Sequence, residues 1–286
     1  MKMGERSDGQ QSIDYYLQAL KLSRAVVPFG TTAVSFDALP GVRKELQAIV
    51  NNEDANQKES GVLNGKRLVD SEFTAVEMKK RLSQHEGDKR KYNVIHFATH
   101  FRLGSDTATS FLLLGNNQAM TLEQVSDSPE MTFADVELVT LSACNTGYSS
   151  LVATKIEEKE RQQFLQSNGK EIDRLAGFIE GRGAKAVLAT LWPVVDESSQ
   201  LLMTEFYRLG KENPNMTKIE ALRQAQLSLL TGGVERTTQK SSSQRAEPIG
   251  KAKPAGSSAL PFQSDPKAPY AHPYYWAPFI LIGNWR

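Results

Sequence analysis

The amino-acid sequence predicts an α/β fold built on a parallel sheet that is covered on both faces. Three runs carry that reading: NVIHFATH (93–100), VELVTLSAC (136–144) and KAVLATLW (185–192). Their apolar character is nearly continuous rather than alternating, as in a strand buried on both sides. Helical stretches at about 170–182, 196–210 and 217–230 lie between and after them. Strands alternating with helices of this length form βαβ units.

Taken in order, the first twelve or so residues are polar and read as a loose end. Ile13, Tyr16, Leu17, Leu20 and Leu22 recur at roughly helical intervals and predict a short amphipathic helix over 13–22. AVVPFGTTAVSF (25–36) is β-branched and aromatic but broken by Pro28 and Gly30, so it reads as one or two strands with a turn. After Pro40 a helix places Val42, Leu46, Ile49 and Val50 on one face, and 51–60 is a polar loop. A short strand within 62–68 leads to a helix at about 72–84, with Ser71 as its cap and Glu72 in its first turn. Residues 111–131 supply a hairpin or a short helix, and the charged, Gln-rich stretch 149–168 extends a helix or forms an inserted loop. Residues 231–269 carry almost no large apolar side chains and read as a mobile linker. The chain then returns to YYWAPFILIGNW (274–285), a core strand. One domain with a loose internal loop fits this pattern better than two.

Composition narrows the function. Of 286 residues, 40% are hydrophobic and 23% charged, which excludes wholesale disorder and a collagen-like fibre. Thirty-four Lys and Arg against thirty-three Asp and Glu leave +1, too even for direct nucleic-acid binding or an acidic-lipid binder. Cys144 is the single cysteine, so no internal disulfide forms, and a reducing, cytoplasmic setting is expected. No apolar run approaches the roughly 18 residues needed to span a bilayer, and MKMGERSDGQQ has no signal-peptide core, so no membrane association is expected.

The chemistry lies at strand ends. His100 ends the first core strand and Cys144 the second. If the strands are parallel, both side chains emerge at the carboxyl edge of the sheet, where sites of open α/β folds form. A thiolate is the nucleophile, and a neighbouring imidazole takes its proton or stabilises it. The turn Cys144-Asn145-Thr146-Gly147 frees the Cys144 N–H to face a carbonyl oxygen. With the Phe101 N–H that follows His100, it would form an oxyanion hole, worth about 3 kcal/mol per donor. The bland alternative is that a lone cysteine at a strand end is a buried small hydrophobe. His96, mid-strand, reads as buried and hydrogen-bonded, while His85 and His272 lie outside the core strands. His96 and His100 form H-x-x-x-H, but that spacing holds zinc on a helix, the Glu of H-E-x-x-H is absent and no third ligand is evident. No metal or cofactor is expected.

Six segments together resemble one family: HFATH (96–100), LVTLSACNTG (138–147), GAKAVLATLWPVVD (183–196), MTEFY (203–207), EALRQAQLSLL (220–230) and HPYYWAPFILIGNW (272–285). They resemble the CHAT domain, a caspase-like peptidase family found attached to tetratricopeptide repeats and similar to separase. The resemblance covers about 24–286 and leaves 1–23 as an N-terminal extension. It implies a caspase–haemoglobinase-like fold, a mainly parallel sheet of about six strands with helices on both faces. It also implies a cysteine endopeptidase acting on a protein substrate, controlled by a regulatory partner or a tetratricopeptide-repeat module. The family's His and Cys fall on His100 and Cys144. Phe101 stands where the family commonly has Gly, and the segment after the Cys loop appears as GKEIDRLAGF (169–178).

No acidic third member of the dyad is assignable. Asp196, after the Trp192-Pro193 turn, either makes an acidic pocket that prefers Arg or Lys or caps the helix beginning at 197. Trp192 either walls that pocket or belongs to the core, and Asp173 is a third candidate for substrate binding. The competing function is a non-catalytic interaction module on the same scaffold. Within 231–269, Arg236, Lys240, Arg245, Lys251 and Lys253 mark either a processing segment or a passive surface insertion.

Overall fold

A computed structural model describes residues 15–17, 25–29, 32–36, 39, 41–52, 61–86, 89–102, 104, 106–142, 170–192, 196–233 and 265–286. The Cys144 turn, the stretch 149–168, the first twelve residues and 234–264 lie outside the described residues; the ends of the expected mobile linker 231–269 are instead part of the packed structure, Thr231 closing a helix and Ala268 being buried.

In chain order the strands and helices are β1 (Tyr15–Leu17), β2 (Ala25–Phe29), β3 (Thr32–Phe36), α1 (Val42–Ile49), β4 (Val50–Asn52), β5 (Leu63–Gly65), β6 (Arg67–Leu68) and α2 (Ala75–Leu82). They continue with β7 (His85–Glu86), β8 (Lys89–Arg90), β9 (Val94–Ala98), β10 (Phe101–Arg102), β11 (Phe111–Leu113), β12 (Ala119–Thr121) and α3 (Leu122–Ser126). The rest are β13 (Leu138–Ser142), α4 (Lys170–Gly181), β14 (Ala186–Thr190), α5 (Asp196–Glu212), α6 (Lys218–Thr231) and β15 (Phe279–Gly283).

The central sheet has the order β15-β14-β13-β9-β1-β6. Every pairing in it is parallel except that of β15 with β14. The three apolar runs form β9, β13 and β14, side by side. Alternate residues feed two cores, because successive strand side chains point to opposite faces. Ile95, Phe97, Val139, Leu141, Val187 and Ala189 pack with α2, α4 and the β11–β12–α3 unit. Ala98, Leu138, Ala186 and Leu188 pack with α1, α5 and α6 on the other face. Burying both faces explains why these strands read as continuous rather than alternating.

Local signals set the helix starts. Thr121 and Gln124 form a reciprocal capping box at α3, the Gln124 N–H donating to Thr121 Oγ1 (3.1 Å) and the Thr121 N–H to Gln124 Oε1 (2.9 Å). Thr217 caps α6, which ends at Gly232 in the left-handed region (φ 74°). Residues 111–131, read as a hairpin or a short helix, hold one of each.

Two local expectations are corrected. Tyr15–Leu17 is a strand, not part of a helix, and it sits between β9 and β6. Its ladder with Phe97 and Ala98 supplies backbone partners that override a helical spacing, and tyrosine fits a strand well. Ser71 does not cap α2 either. It lies in the 3₁₀ turn Asp70–Glu72, and the cap is Thr74, whose Oγ1 accepts from the Glu77 N–H at 3.2 Å. Thr74 with Glu77 has the same Thr-x-x-Glu spacing as a capping box, three residues further on.

Candidate active site

β9 and β13 run in the same direction with Ala98 opposite Ser142 and His96 opposite Thr140. His100 follows Ala98 by two residues, and Cys144 follows Ser142 by two. Cys144 itself lies outside the described residues.

His100 is fully buried at the carboxyl end of β9. Its ring lies 5.0 Å from that of Phe36, the last residue of β3, and Phe36 meets Phe111 edge-on at 6.0 Å. The His100 carbonyl accepts from the Leu113 N–H at 2.9 Å, which pins the strand end to β11. Phe101 and Leu112 are opposed in that antiparallel ladder. Because the bond joins the residues flanking them, they form a non-hydrogen-bonded pair, and the Phe101 N–H points away from β11. The Phe101 side chain is buried in the core.

Beneath these strand ends lies a buried polar network in the otherwise apolar face shared with α1 and α5. Glu45 of α1 accepts a hydrogen bond from Ser142 Oγ on its Oε1 (2.8 Å), and the same oxygen lies 3.2 Å from His96 Nε2. Tyr207 of α5 bonds His96 Nδ1 (3.2 Å) and Thr140 Oγ1 (2.7 Å). All five residues are buried. Burial, above all, raises the Tyr207 phenol far above its ordinary range; its bond to Thr140 opposes the rise and the charge of Glu45 adds to it. The phenol therefore stays protonated, able to donate one hydrogen bond and accept another. His96 has the buried, hydrogen-bonded setting read from its mid-strand position.

The remaining candidates divide. Trp192, half-buried just beyond β14, donates from Nε1 to the Tyr274 carbonyl at 3.0 Å, tying the end of β14 to the segment before β15. Asp196 is the first residue of α5, at the same carboxyl edge. Asp173 is exposed in the first turn of α4, whose Ile172, Leu175 and Ala176 pack on the sheet. Among the described residues, no contact joins Trp192 or Asp173 to His100. His85 and His272 serve the backbone: His85 Nδ1 lies 2.9 Å from the Ser83 carbonyl, and His272 Nδ1 accepts from the Tyr274 N–H at 3.1 Å.

The CHAT domain family model matches residues 7–284, essentially the whole chain. The chain belongs to the CHAT domain family. No curated protein matches it. The match takes in β1, which lies within the segment 1–23 expected as an N-terminal extension. In this CHAT domain, sequence reading missed Glu45 and Tyr207. A signal for Glu45 was present, since a carboxylate at that position falls on the stripe of Val42, Leu46 and Ile49. An acid on the apolar face of a helix has a buried partner more often than not.

Proposed function

We propose that this CHAT domain is a cysteine endopeptidase of caspase-like architecture, with Cys144 as nucleophile and His100 as acid and base. The observation that carries the reading is the strand register. Ala98 and Ser142 are directly paired on parallel strands, and His100 and Cys144 each follow two positions later in the chain; the carboxyl ends of such strands are where sites of open α/β folds form.

The chemistry follows in two halves. The Cys144 thiolate attacks the scissile carbonyl carbon, forming an S–C bond, while His100 holds the proton that left the thiol. The oxyanion that develops is met by the Cys144 and Phe101 N–H groups. The Phe101 N–H points away from β11, and a phenylalanine in place of glycine does not remove it. Collapse breaks the C–N bond, and His100 gives its proton to the departing amine. A water molecule, deprotonated by His100, then cleaves the thioester and releases the acid and the free thiol. Asp196, at the carboxyl edge beyond β14, is the acidic side chain proposed to select Arg or Lys, with Trp192 and Asp173 as further substrate contacts. A protein substrate, a regulatory partner or repeat module, and a cytoplasmic setting belong to the same proposal.

The buried state of His100 favours a second reading, a non-catalytic module that keeps the sheet as a docking scaffold. One assay separates the two. The chain has a single cysteine, so alkylation by iodoacetamide reports Cys144 alone. A peptidase thiol alkylates rapidly near neutral pH and slows in His100→Ala, and Cys144→Ala abolishes hydrolysis of Arg- and Lys-containing peptides. Slow alkylation that is indifferent to His100→Ala favours the scaffold.

A further inference from the structure

We propose that Glu45 is a positioning residue for the thiol–imidazole pair, acting through Ser142 and His96; this rests on the peptidase reading above. The argument begins with chemistry. Ser142 is two residues before Cys144, and His96 is four before His100. One carboxylate oxygen meets both, at 2.8 Å and 3.2 Å. A single atom on α1 therefore touches both strands whose ends carry the proposed dyad, through a hydrogen bond to β13 and an ion-pair distance to β9.

The tie is closed from the other side. Tyr207 joins His96 to Thr140, which lies opposite it across the strand pair. The titratable groups that face Glu45 among the described residues are His96 from β9, 3.2 Å away, and Tyr207 from α5, whose phenol feels its charge. A polar cluster of this kind is unnecessary for filling the space, since Ala98, Leu138 and Leu188 fill neighbouring places on the same face with apolar atoms. Buried hydrogen bonds do something that apolar packing does less well: they fix one relative placement, because any shift leaves a buried polar atom unmatched. In this fold the fixed quantity is the height of β13 relative to β9 at the edge where both strands end. A small misplacement of reacting groups costs a large factor in rate. The cluster thus lies where such precision matters most.

The test uses the full chain and its single thiol. The pH dependence of iodoacetamide alkylation is measured for the wild type, Ser142→Ala, Glu45→Gln, Glu45→Ala, Tyr207→Phe and His100→Ala, with circular dichroism melts to establish folding. The wild-type midpoint is expected below the roughly 8.5 of a free thiol, and His100→Ala raises it. Ser142→Ala and Glu45→Ala are expected to raise the midpoint by about one unit toward the free value. Glu45→Gln, whose amide oxygen can still accept, restores it. Ser142→Ala removes one hydroxyl and leaves the other contacts, so the proposal stays testable if Glu45→Ala does not fold. A wild-type midpoint that depends on His100 but is unmoved in folded Ser142→Ala and Glu45→Ala overturns the positioning role alone. A free-thiol midpoint indifferent to His100→Ala overturns the peptidase reading instead.

Discussion

The ring of Phe36 lies 5.0 Å from the imidazole of His100, the two planes inclined by 34°. A residue of the β2–β3 hairpin thus roofs the histidine, and it is itself braced by Phe111. Opening the roof should uncover the ring. Phe36→Ala would cost about 3–5 kcal/mol as a core truncation, so Phe36→Leu is the better variant. Carbethoxylation by diethyl pyrocarbonate, mapped by mass spectrometry, is expected to spare His100 in the native wild type while modifying His85, which is exposed. In Phe36→Leu, His100 should react several times faster. Equal rates would mean that the imidazole is reached from another side.

Alkaline pH should act through Tyr207. Its folded phenol is raised above the ordinary 10.0, chiefly by burial. Below about pH 10 both folded and unfolded chains hold the proton, so the associated stability is fully present. As pH rises further, the unfolded chain ionises first and stability is lost, by at most about 1.4 kcal/mol per pH unit for this one group. Urea midpoints taken from about pH 8 to about pH 11 should fall less steeply in Tyr207→Phe than in the wild type. The same variant should be less stable at neutral pH by about 1–3 kcal/mol, because His96 and Thr140 lose a buried partner. Parallel slopes would show that other groups govern the alkaline limb.

The three core strands were legible because a doubly covered strand leaves an unmistakable apolar run. The hairpin at 25–36 was legible for a different reason, since Gly30 and Pro28 punctuate it. β1 was not, because three residues have no periodicity of their own and acquire strand character only from β9 and β6. The network was half legible. His96, Thr140 and Ser142 are visible as polar letters inside apolar runs, but what they meet comes from α1 and α5, far away in the chain. No local pattern pairs Glu45 with Ser142. His100 was found as a strand-end residue, yet its burial under Phe36 depends on a contact with the β2–β3 hairpin that no spacing encodes.

Gly232 should tolerate no side chain. It combines a positive φ of 74° with a close approach to the Lys267 carbonyl, which an added Cβ would run into. Gly232→Ala is expected to lower stability by about 1–2 kcal/mol, from the left-handed backbone alone and more from the clash. Thermal melts of this variant beside Gly233→Ala, where the same atom meets nothing closer than 3.6 Å, make the comparison. Similar losses at both positions would rule out the contact as the cause.

That contact has a corollary for the segment between. Gly232 and Lys267 touch, so the chain leaves α6 and comes back at nearly the same point. Replacing 234–264 by a short Gly/Ser bridge should leave a single cooperative melt, with about 1 kcal/mol gained from the smaller loop. A broadened melt or aggregation would show that the excised residues contribute to the packed structure.

The antiparallel seat of β15 has a consequence for biosynthesis. Among the described residues, Ala186–Thr190 is paired on its outer side by Phe279–Gly283, which leaves the ribosome after the whole of α5 and α6. Until then the nascent chain carries an apolar strand with one open flank, the type of surface to which a stray strand can anneal. A message cut short before codon 279 would leave that flank open for good, and its product should be one that chaperones hold and proteases clear.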